Sequence, residues 1–251
     1  MHYTAYGREV TDVSEVALYF HDEPPLHHLR QQVVMGWDLA IPPGAGDHEE
    51  TGYFEFDAPA VIYSLFPHAH YRGKSTRFDL HYPDGRVEAL LHVPRYDFNW
   101  QHTYTLEQPV EVPAGTRLVH STIYDNSKRN PANPDASKTV NWGLQSFEEM
   151  LYGGFFFRWK EGTVAQPVHD RLQFNLRQFY GAMDDDFDGS LQPDEMPGDM
   201  RQAFTEGGLA NFDQNEDGAL SGAEYRAFVD YRMQQERERA QQALQEQAGD
   251  Q

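Results

Sequence analysis

From about residue 10 to 159 the chain is a succession of short β-branched and aromatic runs broken by Pro, Gly and Asp, and after Gly162 that pattern stops. Residues 16–20, 33–37, 86–93 and 116–124 are such runs, and Ile41-Pro42-Pro43-Gly44 and Pro83-Asp84-Gly85 punctuate them. Many short strands at this spacing predict a mainly β fold, a jelly-roll β-sandwich. Residues 126–135, with Pro131 and Pro134, read as a long surface loop.

Beyond Gly162 the period changes. Leu172, Leu176 and Phe179 sit at helical spacing, and the stretch 231–247 is dominated by Gln, Glu, Arg and Ala, the composition of a solvated helix. Residues 184–195 fit the twelve-residue EF-hand loop, whose carboxylates and carbonyl oxygens wrap a hard cation. The ligand positions are Asp184, Asp186, Asp188, Ser190 through its carbonyl, and Glu195, with Gly189 at the sharp turn. Residues 213–224 repeat the pattern with Asp213, Asn215, Asp217, Ala219 through its carbonyl, and Glu224. Residues 168–232 thus resemble the EF-hand family, which implies calcium as a cofactor and an all-α C-terminal domain. Pro197 and the short segment between the loops suggest a structural or buffering pair rather than a switch. The resulting division is a sandwich over 1–160, a linker over 161–167, the EF-hand pair over 168–232 and a charged helical tail over 233–251.

The 40 acidic and 20 basic residues leave a net charge of −20, which argues against nucleic acid or an anionic membrane as partner, since both need a Lys/Arg excess. No apolar run approaches the length of a membrane span. The chain has no cysteine, so disulfides, thiolate metal sites and thiol catalysis are excluded. Met1-His2-Tyr3-Thr4 shows no basic segment followed by an apolar core, the mark of a secretory signal.

His68-Ala69-His70 closes one of the apolar runs. On an extended strand, side chains two apart point the same way, so the two imidazoles can serve one metal. With 12 histidines, chance alone supplies about half of one such pair, and the tripeptide needs support from elsewhere in the chain. That support is the order of three landmarks: Ile41-Pro42-Pro43-Gly44, the strand ending in H-x-H followed by Gly73-Lys74, and Glu149-Met150 ahead of an aromatic strand. In that order they resemble the C-terminal domain of the copper type II, ascorbate-dependent monooxygenases, the family of peptidylglycine α-hydroxylating monooxygenase, over about residues 2 to 160.

The resemblance implies that His68, His70 and Met150 bind the copper at which oxygen is activated. Two neutral imidazoles suit either oxidation state, and a thioether favours Cu(I). It also implies a second, electron-supplying copper, one of whose ligands would be His2 in His2-Tyr3, with the other two in a preceding copper domain missing from this chain. A small organic substrate, dioxygen, ascorbate or another reductant, and a periplasmic or secreted full-length enzyme follow from the same likeness. Peptide-hydroxylating members hold a substrate carboxylate with an Arg and a Tyr at places occupied here by Phe66 and Gly154, so the expected substrate is uncharged. His27-His28 and the isolated His81, His92, His102, His120 and His169 read as loop, surface or satisfied core residues. Residues 97–102 and 124–127 fit either a cleft lining or turns held by their own side chains. The competing reading is a non-catalytic copper- and calcium-binding module.

Overall fold

The computed structural model describes residues 7–169, 179–205 and 208–249. Its centre is a pair of four-stranded antiparallel sheets. One holds β1 (Arg30–Gly36), β10 (Leu151–Trp159), β4 (Ala60–His68) and β7 (Tyr104–Val112), in that order. The other holds β3 (His48–Phe56), β8 (Thr116–Tyr124), β5 (Gly73–His81) and β6 (Val87–Val93). A two-residue ribbon of β2 (Ala40–Ile41) and β9 (Val140–Asn141) closes one end. Counting the long strands alone, the chain crosses between sheets at every step except the β5–β6 hairpin, in the order of a jelly roll.

The alternation read from sequence explains why these segments pair. In β8, Leu118, His120, Thr122 and Tyr124 point inward and are buried, with β3 on one side and β5 on the other. Phe54, Phe56, Phe155, Phe157 and Trp159 fill the space between the sheets with tilted and edge-on rings. The expected strand over 16–20 does not form: that segment is irregular and its large apolar side chains are exposed. Its β-branched and aromatic composition is strand-like, but among the described residues no strand pairs with it, and an unpaired strand is not stable in water.

His120 is a satisfied core histidine. Its Nδ1 donates to the Arg77 carbonyl at 3.1 Å, its Nε2 lies 3.2 Å from the Thr122 hydroxyl, and its ring lies 4.3 Å from that of Phe78. A Cβ on Gly153 would come within 2.5 Å of the His120 ring, which is why β10 carries glycine there. Burial pushes the His120 pKa down to about 3. A base held neutral in the fold contributes stability above its unfolded pKa of about 6.5 and loses it as pH falls toward the folded value. Urea unfolding at pH 7 and pH 5 should therefore show the native protein losing about 2 kcal/mol more than a His120→Asn variant; equal losses would contradict a neutral buried imidazole.

The C-terminal region adds two helices among the described residues, Gly198–Thr205 and Gly222–Gly249. The expected helix over 170–180 lies outside the described residues save for its last two, so an all-α EF-hand domain is not what is seen there. Between the helices, β11 (Ser190–Leu191) pairs with β12 (Leu220–Ser221), setting Leu191 opposite Leu220. The long helix buries Tyr225, Val229 and Met233 in its first turns and then runs exposed through residues 236–239.

This region shares a core with the sandwich. Tyr53 of β3 and Val119 of β8 pack with Tyr180, Met183, Leu191, Leu220 and Tyr225. A Cβ on Gly181 would sit 2.0 Å from the Tyr53 carbonyl oxygen, so backbone meets backbone at this seam.

Candidate metal centres

β4 ends at His68, and the next residues leave the ladder. The backbone groups freed there are held by side chains instead. The Tyr96 hydroxyl bridges Ala69, accepting its N–H at 3.0 Å and donating to its carbonyl at 2.7 Å. The fully buried Glu149 carboxylate accepts N–H groups from His70 at 2.7 Å, Arg72 at 2.6 Å and Met150 at 3.3 Å. Residues 70–73 then make a tight turn, and a Cβ on Gly73 would lie 2.7 Å from the Tyr96 ring.

These supports bring His68 and His70 together, with ring centroids 5.2 Å apart and planes 89° apart. Each ring is fixed through Nδ1. His68 Nδ1 meets the Gln101 side-chain oxygen, and His70 Nδ1 meets the Glu148 carbonyl at 3.2 Å. Both partners are acceptors, so Nδ1 carries the proton and Nε2 the lone pair, the tautomer a metal requires. Burial lowers the His68 pKa, and the Gln101 bond opposes this in part. The imidazole is therefore neutral near pH 7.

Met150 is buried. Its N–H and that of His70 meet the same oxygen, Glu149 Oε2, and its carbonyl accepts from the Tyr124 hydroxyl at 2.7 Å. Tyr152 pairs with His68 in the β4–β10 ladder and sets its ring 5.3 Å from the imidazole. Met150 stands two residues before Tyr152, immediately ahead of β10. Burial pushes the Glu149 pKa up to about 7, against the pull of the three N–H donors and the Arg72 charge.

Around the pair lie aromatic side chains. Phe66 is nearly parallel to the His68 ring at 6.2 Å, and Phe98 stands 6.3 Å from His70. Phe66 and Gly154, the two places where the substrate contacts of peptide-hydroxylating members were expected to be lost, are cross-strand partners in the β4–β10 ladder. A cavity of about 480 Å³ opens beside His70, lined by Tyr71, Arg95, Tyr96, Phe98 and Asn130. The segment 97–102 does both things its sequence allowed: Asp97 holds a turn by accepting from the Asn99 N–H at 2.9 Å, and Asp97, Phe98 and Asn99 line the cavity beside His70.

Sequence reasoning assigned no role at the motif to Gln101, Tyr96 or the Glu148 carbonyl, which meet it from 27 to 78 residues away, nor to Arg72 beside it. His2 lies outside the described residues. His27 meets the Gly162 carbonyl at 2.8 Å, and His28 is exposed.

The second centre is the first acidic loop, where one oxygen each from Asp184, Asp186 and Asp188 lie within 4.8 Å of one another. Gly189 N–H donates to Asp184 Oδ2 at 3.1 Å, and Glu195 reaches back to accept from Asp185 and Gln192, both at 2.8 Å. Asp184 is 2% exposed, and its Oδ1 has no hydrogen-bond partner. The second loop repeats the geometry: Gly218 N–H donates to Asp213 Oδ2 at 2.9 Å, and Glu224 accepts from Gln214 and Ser221. Both loops take positive φ at their fourth and sixth places, 65° and 86° at Phe187 and Gly189, 59° and 86° at Glu216 and Gly218. Asp213, Ser190 and Ala219 are partly to fully buried, and Asn215 and Asp217 are exposed.

Residues 31–152 match the family model of the copper type II ascorbate-dependent monooxygenase C-terminal domain. His68, His70 and Met150 all fall inside that stretch. No curated protein matches the chain. Among solved structures, a chain of the T13 IBDV viral particle aligns at 9% identity with a TM-score of 0.26, over 74% of this chain and 54% of that one. A chain of the infectious bursal disease virus Gx strain aligns at 11% identity with a TM-score of 0.25, over 86% and 59%. The chain thus spans little more than half of either, and neither likeness carries an argument.

Proposed function

We propose that residues 31–152, matched as a monooxygenase-family domain, form the oxygen-activating half of a copper monooxygenase acting on an uncharged organic substrate. The observation that carries this is the pair of imidazoles with ring centroids 5.2 Å apart, each anchored through Nδ1 to an acceptor. Such a donor set, with the buried Met150 bonded through its N–H to the same Glu149 oxygen as His70, fits copper in either oxidation state. His68, His70 and Met150 would hold the ion, and Glu149 would keep the last two in place. Copper would supply the redox chemistry by which one oxygen atom enters a C–H bond and the other leaves as water, with ascorbate or a similar reductant providing the electrons.

The chain's own residues shape what approaches. Phe66 and Tyr152 flank His68 with apolar rings, and Gly154 adds no side chain opposite Phe66. An uncharged, apolar substrate fits those walls better than a peptide carboxylate. The test is product formation: Cu(I)-loaded protein mixed with dioxygen and excess ascorbate, which supplies the remaining electron, should hydroxylate an uncharged aromatic compound and leave a peptide with a free C-terminus unreacted. Copper bound without any product would favour the second reading, a copper- and calcium-binding module without turnover.

For the C-terminal region we propose two calcium sites, supported by the matching loop geometries and by the buried, unpartnered Asp184 Oδ1. The first loop offers four carboxylate ligands and the second three, so the first should bind more tightly. Calorimetry should show Asp184→Ala removing the tighter site and Asp213→Ala the weaker; the reverse order would overturn the assignment.

A further inference from the structure

The first loop does not hold its leading ligand alone. The Tyr53 hydroxyl, from β3 of the sandwich, donates to Asp184 Oδ2, the same oxygen that accepts the Gly189 N–H. Tyr53 is 1% exposed and Asp184 2%. The two carboxylate oxygens therefore divide their work, Oδ2 bound to protein and Oδ1 left without a partner. Arg117 of β8 adds a second tie, donating through Nη1 to the Phe187 carbonyl at 3.0 Å while its guanidinium stacks 4.4 Å from the Tyr53 ring. Phe187, the residue with positive φ at the loop's fourth place, sets its ring 5.2 Å from that of Tyr53. In the second loop the corresponding Asp213 accepts from its own loop, at Gly218 and Asp217.

We infer that Tyr53 is a positioning residue for calcium in the first loop, so that calcium binding there and the stability of the sandwich are one linked equilibrium. The inference rests on the calcium reading given above. A hydrogen bond that fixes a ligating carboxylate favours the metal-bound geometry, and loss of such a partner typically weakens binding by roughly 10–100-fold. Linkage then requires that calcium stabilise the surface that supplies the bond.

All four tryptophans, Trp37, Trp100, Trp142 and Trp159, precede the loops, so tryptophan fluorescence during unfolding reports on the sandwich. Calorimetric titration of calcium into the full chain should show Tyr53→Phe weakening the first site about tenfold and leaving the second unchanged. Calcium should raise the fluorescence-detected melting temperature of the native chain and of Asp213→Ala, and fail to do so in Asp184→Ala. The last pair keeps the test open even where Tyr53→Phe does not fold. A purely structural tyrosine would lower the apo and calcium-loaded melting temperatures of Tyr53→Phe by the same amount, with unchanged affinity, and that result overturns the inference. A native chain that binds no calcium at millimolar concentration overturns the calcium reading itself, and the two failures are thus distinct.

Discussion

Replacing Glu149 with alanine should cost the sandwich much of its stability, because one buried carboxylate holds three backbone N–H groups at once. It is fully buried and accepts N–H groups from His70, Arg72 and Met150. Alanine would leave these donors in a space too enclosed for easy hydration, at about 1–3 kcal/mol each, so about 4 kcal/mol or more in total. Against a typical folding stability of about 5–15 kcal/mol, such a loss lowers the melting temperature steeply. Arg72 raises the penalty further. Its Nε and Nη1 are bonded to Asn126 and the Phe147 carbonyl at 2.9 and 2.8 Å, and its charge would lose the nearest counter-charge. Glu149→Gln keeps one acceptor oxygen but turns an amide donor toward a backbone donor, so its loss should fall between native and alanine. Urea unfolding monitored by fluorescence measures the series; a Glu149→Ala protein as stable as the native one would mean that water or another group satisfies those amides.

The second large effect separates the copper ligands by oxidation state. His68→Ala should weaken both Cu(I) and Cu(II), by more than the roughly 10–100-fold seen when an outer partner of a ligand is lost. Met150→Ala should weaken Cu(I) strongly and Cu(II) little, since the soft thioether matters to the soft ion. Gln101→Ala tests the orientation of His68 from outside, and a loss within that 10–100-fold range is expected for both ions. His68 is partly exposed, so its truncation should leave the melting temperature nearly unchanged, in contrast to the Glu149 series. Competition titrations with chelators of each ion give the affinities. Equal Cu(I) affinity in native and Met150→Ala protein would remove the thioether from the site.

How far the sequence reaches depends on the range of the interaction. The strand at residues 116–124 is legible because its alternation and its turns are local, and the structure has β8 at those residues. The run at residues 16–20 has a strand-like composition as well, yet a strand also needs a neighbour, and that information lies elsewhere in the chain. His68 and His70 could be paired on paper because they are two apart. Their orientation could not, since Gln101, Tyr96 and the Glu148 carbonyl arrive from other loops. The loop at residues 126–135 is a loop, as its prolines imply, but Asn126 is fully buried and serves Arg72, Pro42 and Lys138 with bonds of 2.9 Å. Composition marks such a residue as a turn former; its burial depends on the strands around it. In β4 the inward and outward positions change phase between Tyr63 and Phe66, where the pairing with β7 shifts register, so simple alternation assigns the wrong face to one half of the strand.

The packing of Gly154 on Phe66 constrains mutational change. A Cβ at residue 154 would stand 3.2 Å from the Phe66 Cβ and Cδ1 and 3.3 Å from its carbonyl oxygen. Only the Cδ1 contact depends on which side chain stands at 66, since every residue but glycine keeps a Cβ there and every residue keeps the carbonyl. A stepwise route to a side chain at 154 therefore has to shift β10 against β4 by a few tenths of an ångström, whichever position changes first.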